Sequence, residues 1–391
     1  MGTITSPTVT PSSVGMDSAA LDRVGASTQG DINSGRILGA SILIARGGQI
    51  VYRRSLGTVA ADRPATDDDK YLLMSMSKSF TAALILRAVD QGRFGLDTRV
   101  DDLVPGFGTA GKGRATLRHL MTHTAGLPFG MVPPGVTPAQ IGDLPRKAAA
   151  IAAIPAAFAP GARCVYTSGL GYDLLGHILV NTDPKGRNFR KIMHDDLFVP
   201  LGMTDSSFGL PLDDPRRVPV SFTEQNTGPT TPAMLGMFNQ AFDADAEVPS
   251  GNAYSTIDDV FRFTEALRSR GTANGYRLMS PALFDYARQN HTGELPNEAF
   301  NFEVQARNLD PLIANFTLLG GYVRGTGHSL TSAGYTASPE TITAVGGAST
   351  GWMIDPQHDL TVIYLSAGFI EGLRHFERLQ RINDLALAAV S

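Results

Sequence analysis

Four residues, Ser75-Met76-Ser77-Lys78, carry the most pointed chemical possibility in this chain. They open a segment whose composition predicts a helix from Lys78 through Gln91. Residues three apart on a helix share a face, so the Ser75 hydroxyl and the Lys78 amine would lie side by side. A serine at a helix N-terminus has free backbone N–H groups around it and the positive end of the helix dipole behind it. A desolvated lysine beside it can shed its proton and act as a base, which activates a serine without histidine. The pattern fixes only two positions, and ordinary Ser and Lys usage supplies about one such match in a chain of this length. A helix-capping serine followed by a solvated lysine reads the same way, so the rest of the sequence decides.

Composition sets the bounds. The chain has 391 residues, 42% hydrophobic and 18% charged, which suits a soluble globular protein with a sizeable core in one large domain or two. A net charge of -4 and a pI near 6.1 give no sign of a nucleic-acid partner. The single cysteine, Cys164, excludes an internal disulfide and a thiolate metal cluster, and reads as a small buried hydrophobe. The 8 histidines lack metal-ligand spacing, so neither a catalytic metal nor another cofactor is expected. The N-terminal residues lack a basic region followed by an apolar run, and no apolar stretch is long enough to span a bilayer. A cytoplasmic protein with no membrane partner is the expectation. Met1-Gly2 through Ser6 fits the loose myristoylation pattern, but no polybasic patch or second acylation site accompanies it.

The elements that must position Ser75 follow from pattern and punctuation. Residues 1–10 read as a polar, flexible tail and Ser18 to Asn33 as a helix. Gly39 to Arg46 and Gln49 to Arg54 flank Gly47-Gly48 as a β-hairpin, and a further strand is expected near Lys70 to Met74. From about Leu96 to Ser250 strand-like runs disappear. Short helical segments split by Pro and Gly take their place, at 116–122, 146–154, 171–180 and 188–198. Ser255 or Thr256 caps a helix that runs to Arg268. Thr341 to Gly347, Gly351 to Asp355 and Leu360 to Ser366 read as three strands, and His375 to Ala389 as a final helix. The hairpin and the late strands form one antiparallel sheet in this reading, with the terminal helices on one face. Residues 11–95 and 251–391 then make an α/β domain, and 96–250 a mostly helical one.

Three further stretches bear on Ser75: Thr122-His123-Thr124-Ala125-Gly126-Leu127, Tyr166-Thr167-Ser168-Gly169-Leu170-Gly171-Tyr172-Asp173-Leu174-Leu175-Gly176, and Val345-Gly346-Gly347-Ala348 on a predicted strand. In this order and spacing the chain resembles the serine hydrolases of the class C β-lactamase type, from about Leu21 to the C-terminus. That group includes family VIII carboxylesterases, D-amino-acid peptidases, 6-aminohexanoate-dimer hydrolases and the acyltransferase of statin biosynthesis. The resemblance implies an α+β, β-lactamase/transpeptidase-like fold with an antiparallel sheet flanked by helices and a mostly helical insertion. It implies that Ser75 is the nucleophile, Lys78 its neighbouring base, and Tyr166 the tyrosine of a Tyr-x-Asn/Ser motif with Ser168 in third place. A phenol near its ordinary pKa of about 10 is a useful base only beside a cation, and Lys78 supplies one; the two would titrate as a pair. The resemblance also implies an oxyanion hole from the backbone N–H groups of Ser75 and Ala348, with Gly346 and Gly347 letting substrate approach the backbone. His123 falls in a loop element whose histidine is structural in the family.

Position 345 departs from the family pattern. Penicillin-binding relatives carry Lys there and many others His or Trp, whereas Val345 offers neither charge nor hydrogen bond. The expected substrate contacts are therefore Ser168, Val345, Gly346 and Gly347 around a neutral, fairly apolar ester, rather than a charged β-lactam. Met131, Met234, Leu235, Met237, Phe238 and Phe242 could line an acyl pocket or form ordinary core under long loops. The leading expectation is a serine carboxylesterase acting on a small molecule through an acyl-enzyme. Acyl transfer to an alcohol or amine and hydrolysis of small amides remain alternatives, and so does a binding or sensor protein on an inactive scaffold.

Overall fold

The hairpin around Gly47-Gly48 pairs Gly39–Arg46 with Gln49–Ala60, and a bulge at Ile44/Ala45 shifts its register. The computed structural model describes residues 8–223, 231–370 and 372–391. Gly39–Arg46 also pairs with Leu360–Ala367, Leu43 opposite Ile363. Thr350–Asp355, Ile342–Gly346 and Tyr322–Val323 extend the sheet on that side, and Arg63–Pro64 closes the other, giving seven antiparallel strands.

Period-two alternation divides the sheet between two cores. Ile42, Ile44, Val362 and Tyr364 meet Leu21, Val24, Leu379 and Ile382 of the helices Ser18–Asn33 and Leu373–Leu387. The terminal helices therefore share one face, as the pattern predicts. Leu43, Ile363, Trp352 and Ala344 point the other way, into a cluster that runs through Phe80 and Leu84 to Leu120, Leu174 and Phe198. The helices Leu117–Met121, Leu144–Ala152 and Leu170–Asn181 stand where the sequence places helices in this stretch. The segment 188–198 is split: an α-helix over Phe189–Met193 passes into a π-turn at His194–Phe198. Thr256, not Ser255, caps Ile257–Arg268, its hydroxyl accepting from the Asp259 N–H at 3.3 Å.

The strand expected near Lys70 is shorter than its pattern and belongs to a second sheet. Lys70–Leu72 pairs with Ala253–Ser255 and, in parallel, with Arg217–Val218; Ser207–Phe208 completes the four strands. Among its described residues the stretch 96–250 thus contains two strands of two residues each, where none was expected. The expected tail divides: residues 1–7, with the myristoylation pattern, lie outside the described residues, whereas the Val9 N–H donates to Ile50 O at 2.8 Å. Among the described residues, no helix is long and apolar enough to cross a membrane. Cys164 is fully buried with its Sγ 3.6 Å from Thr122 O, and burial pushes its thiol up to about 12.

Candidate active site

Leu73 stops the Lys70–Leu72 strand and starts a tight turn. Its N–H donates to Ala253 O at 2.8 Å, and its carbonyl accepts from Met76 N–H at 3.2 Å. Met74 follows at φ 47°, a left-handed conformation that a long side chain adopts only when its surroundings enforce it. A 3₁₀ turn over Met74–Met76 then leads into the helix Ser77–Asp90. Ser75 therefore sits on the turn before the α-helix rather than within it. Ser75 and Lys78 stand three residues apart across the junction of the turn and the α-helix, so their side chains share a face.

The Ser75 hydroxyl receives two donors. Lys78 Nζ lies 3.0 Å from Ser75 Oγ, and the Tyr166 hydroxyl lies 2.6 Å from it. Lys78 is 2% exposed, donates also to Ser250 O at 2.9 Å, and has its Nζ 5.1 Å from the Tyr166 ring centroid and 5.6 Å from that of Tyr172. Among the described residues no carboxylate pairs with it; carbonyl, hydroxyl and π-faces surround the ammonium instead.

Tyr166 is held from behind. Its N–H donates to Asn297 Oδ1 at 3.2 Å, and its ring lies 4.6 Å from the His123 ring. His123 is 2% exposed, its Nδ1 accepts from the Thr167 N–H at 3.2 Å, and its ring is also 4.6 Å from Phe316. Burial, and to a lesser degree the Lys78 charge, hold its pKa well below the usual value, so the ring is neutral. It packs behind Tyr166, and no carboxylate bonds to it among the described residues.

The opposite wall is backbone. The strand Ile342–Gly346 ends one residue earlier than the sequence suggests, and Gly347, Ala348 and Ser349 form the turn to Thr350. Ser349, at φ 67°, donates its N–H to Gly346 O at 3.0 Å, which closes the turn and takes Ala348 off the strand. Gly346 lies directly on the Ser75 turn: a Cβ there would collide with Leu73 O and the Thr350 hydroxyl, which itself donates to Leu73 O at 3.1 Å. Ala348 packs against Met74 in a shared apolar cluster. From below, Arg378 donates to Ser349 O at 2.9 Å, and His375 Nε2 lies 2.9 Å from Thr350 O. Arg378 is fully buried over the Tyr364 ring, 4.7 Å from its centroid.

Of the four expected substrate contacts, Ser168 lines the cleft beside Ser75, Gly346 is buried under Leu73, and Gly347 is exposed near Met74. Val345 is half-buried against Val304, Leu373 and Phe376. The apolar side of the cleft is made by Met74, Met131, Ile141, Phe242 and Val248. Leu235 and Phe238 stand behind that lining, and Met234 is 47% exposed. Three residues to which the sequence assigned no role belong to this neighbourhood: Ser250 through its carbonyl, and the buried pair Lys147–Asp173 behind it, Asp173 standing inside the Tyr166–Gly176 stretch. A lone acid within Leu170-Gly-Tyr-Asp-Leu-Leu-Gly176 was the available signal for Asp173; a backbone carbonyl leaves none. Among the described residues, no group of three or more His, Cys, Asp or Glu side chains could hold a metal ion.

An antiparallel sheet between helical layers, with a Ser–Lys–Tyr cluster where a helix meets that sheet, defines a serine hydrolase class. The Beta-lactamase family model matches residues 19–387, and the chain belongs to that family. It is similar to Esterase EstB from Burkholderia gladioli, 28% identical over 322 residues, which are 74% of this chain and 80% of EstB. A solved penicillin-binding protein homolog from Caulobacter crescentus superposes with a TM-score of 0.76 at 24% identity, over 96% of this chain and 99% of that one. EstCE1, described as a hydrolase with promiscuous acyltransferase activity, superposes with a TM-score of 0.74 at 23% identity, over 94% and 98%.

Proposed function

We propose that this serine hydrolase cleaves a neutral, fairly apolar carboxylic ester through an acyl-enzyme on Ser75. The observation that carries this reading is the convergence of Lys78 Nζ and the Tyr166 hydroxyl on one serine oxygen, at 3.0 and 2.6 Å, beside an apolar cleft. In this mechanism Ser75 Oγ attacks the ester carbonyl carbon and its proton passes to the Lys78–Tyr166 pair. Lys78, with no carboxylate partner among the described residues, leaves its positive charge available to a Tyr166 phenolate. The N–H groups of Ser75 and Ala348 hold the oxyanion, and a turn fixed by Gly346 and Arg378 suits a donor that must not reorganise during the reaction. Collapse breaks the bond to the alkoxide, which takes the proton from the pair; a water then attacks the acyl-enzyme by the same route in reverse.

Val345 and the lining of Met131, Ile141, Phe242 and Val248 favour an uncharged substrate, since none of them offers a cation to a carboxylate. EstB, by its name an esterase, supports the ester class. Acyl transfer is the second reading: the same acyl-enzyme serves an alcohol acceptor, and EstCE1 is described with that activity. The replacement Ser75→Ala should abolish turnover of a p-nitrophenyl ester and labelling by a fluorophosphonate. Residual turnover above a few per cent of wild type would overturn the assignment. Product analysis with added alcohol separates hydrolysis from transfer.

A further inference from the structure

Two buried lysines are linked through Ser250 and Asp173 but are held differently. Among the described residues Lys78 has no carboxylate partner, whereas Lys147, fully buried on the helix Leu144–Ala152, lies 2.7 Å from Asp173 Oδ2. The pair is 0% and 1% exposed, within helices that are otherwise apolar there. A buried ion pair contributes little stability by itself and is often replaceable by apolar side chains. Asp173 has a second engagement: its Oδ1 accepts the Ser250 N–H at 3.0 Å. The carbonyl of that same residue receives Lys78 Nζ at 2.9 Å, and Lys78 reaches Ser75 Oγ at 3.0 Å.

We propose that Asp173 is a positioning residue: its carboxylate anchors the Ser250 N–H so that the Ser250 carbonyl holds Lys78 against Ser75, while Lys147 neutralises Asp173. The proposal rests on the reading of Ser75 and Lys78 as the catalytic pair. The surrounding contacts point the same way. Thr81, on the helix that carries Lys78, donates to Pro249 O at 2.7 Å. On the other side Gly176, in the helix of Asp173, has no side chain where a Cβ would collide with Pro249. Pro249 and Ser250 are thus wedged between the two helices, with a hydrogen bond from one and to the other. An amide N–H bonded to a carboxylate polarises its own peptide group, here Pro249 C=O and Ser250 N–H, and strengthens the Pro249 carbonyl that accepts from Thr81, which fixes the segment from both sides. A lysine ammonium on a four-carbon stem is otherwise a mobile donor, and the Ser250 carbonyl removes that freedom.

The test is made in a Lys147→Met background, which avoids leaving a buried cation unpaired when Asp173 is changed. K147M/D173N keeps an oxygen that can accept the Ser250 N–H; K147M/D173L is as neutral but offers none. We expect kcat for p-nitrophenyl butyrate to fall at least tenfold further in K147M/D173L than in K147M/D173N. KM should agree within twofold, and K147M/D173L should unfold at the lower temperature because the buried Ser250 N–H has lost its acceptor. Equal kcat values, measured well below both unfolding midpoints, would overturn the proposal. Should either double variant not fold, Thr81→Val loosens the same segment from the other helix. A kcat loss of about threefold or more at unchanged KM supports the proposal, and an unchanged kcat overturns it. Ser75→Ala serves as the control. Turnover that survives it removes the catalytic assignment itself; an inactive control with equal double variants removes only the role of Asp173.

Discussion

The two walls of the cleft are built from different material. On the helical side, side chains do the positioning: Lys78, Tyr166 and Ser75 meet at hydrogen-bond distance, each from a different local structure. On the sheet side, the Gly346–Thr350 turn presents backbone, and the side chains that fix it, His375 and Arg378, lie buried beneath. Under the proposed mechanism, the group whose proton must move is supplied by side chains with adjustable chemistry, and the group that must stay still by peptide units whose geometry is overdetermined. The difference predicts that the helical wall fails through chemistry and the sheet wall through geometry.

The sharpest way to break that distinction is Lys78→Met. We expect kcat/KM for a p-nitrophenyl ester to fall about 10³-fold, within the span of acid–base contributions, with the unfolding midpoint unchanged or raised. A lost midpoint with retained activity in the folded fraction would mean that Lys78 is structural. Tyr166→Phe keeps the ring against His123 and Phe316 and removes only the hydroxyl. Its expected loss is about 10²-fold in kcat, read from steady-state rates, with little change in KM. Gly346→Ala tests the sheet wall. The added methyl must displace Leu73 or the Thr350 hydroxyl, so activity should fall about tenfold together with about 1–3 kcal/mol of stability, a typical overpacking cost. Activity loss without stability loss would blur the contrast between the walls.

The smallest effect compares the buried histidines behind each wall. Burial lowers the pKa of His123 well below the usual value and that of His375 to about 3, with Arg378 adding to the second shift. An unfolded chain takes up these protons near pH 6.5 while the native state refuses them. Stability is therefore level above about pH 6.5 and falls as pH drops from there toward the native values. Each ring contributes a slope of up to about 1.4 kcal/mol per pH unit. Urea unfolding between pH 7 and pH 5 should show this slope, and His375→Gln should flatten it by one ring's share. An unchanged slope would mean that His375 titrates normally.

What the sequence revealed follows the same division. Ser75, Lys78 and Tyr166 are residue types with chemistry of their own, and their spacing shows in the chain. So do the apolar run of Gly39–Arg46 ahead of Gly47-Gly48 and the acids after the Thr256 cap. The Met74–Met76 turn was invisible because nothing in Leu-Leu-Met-Ser-Met announces a left-handed Met74. The strands Ser207–Phe208 and Arg217–Val218 are two residues long, too short to carry an alternation. Ala348 reads as strand because Val345-Gly-Gly-Ala continues an apolar run; the positive φ of Ser349 ends the strand early. Ser250 acts through its carbonyl, which every residue has. Asp173 lies among leucines in a helix, where only the partner's position distinguishes a buried acid from a surface one.

The support beneath the Gly346–Thr350 turn comes from the helix Leu373–Leu387, far downstream of Ser75. During synthesis Ser75, Lys78 and Tyr166 all leave the ribosome before the turn and well before the residues that brace it. Under the proposed mechanism the nascent chain therefore carries the serine and its two donors before the turn that would hold the oxyanion is braced. A product truncated ahead of His375 would lack that brace.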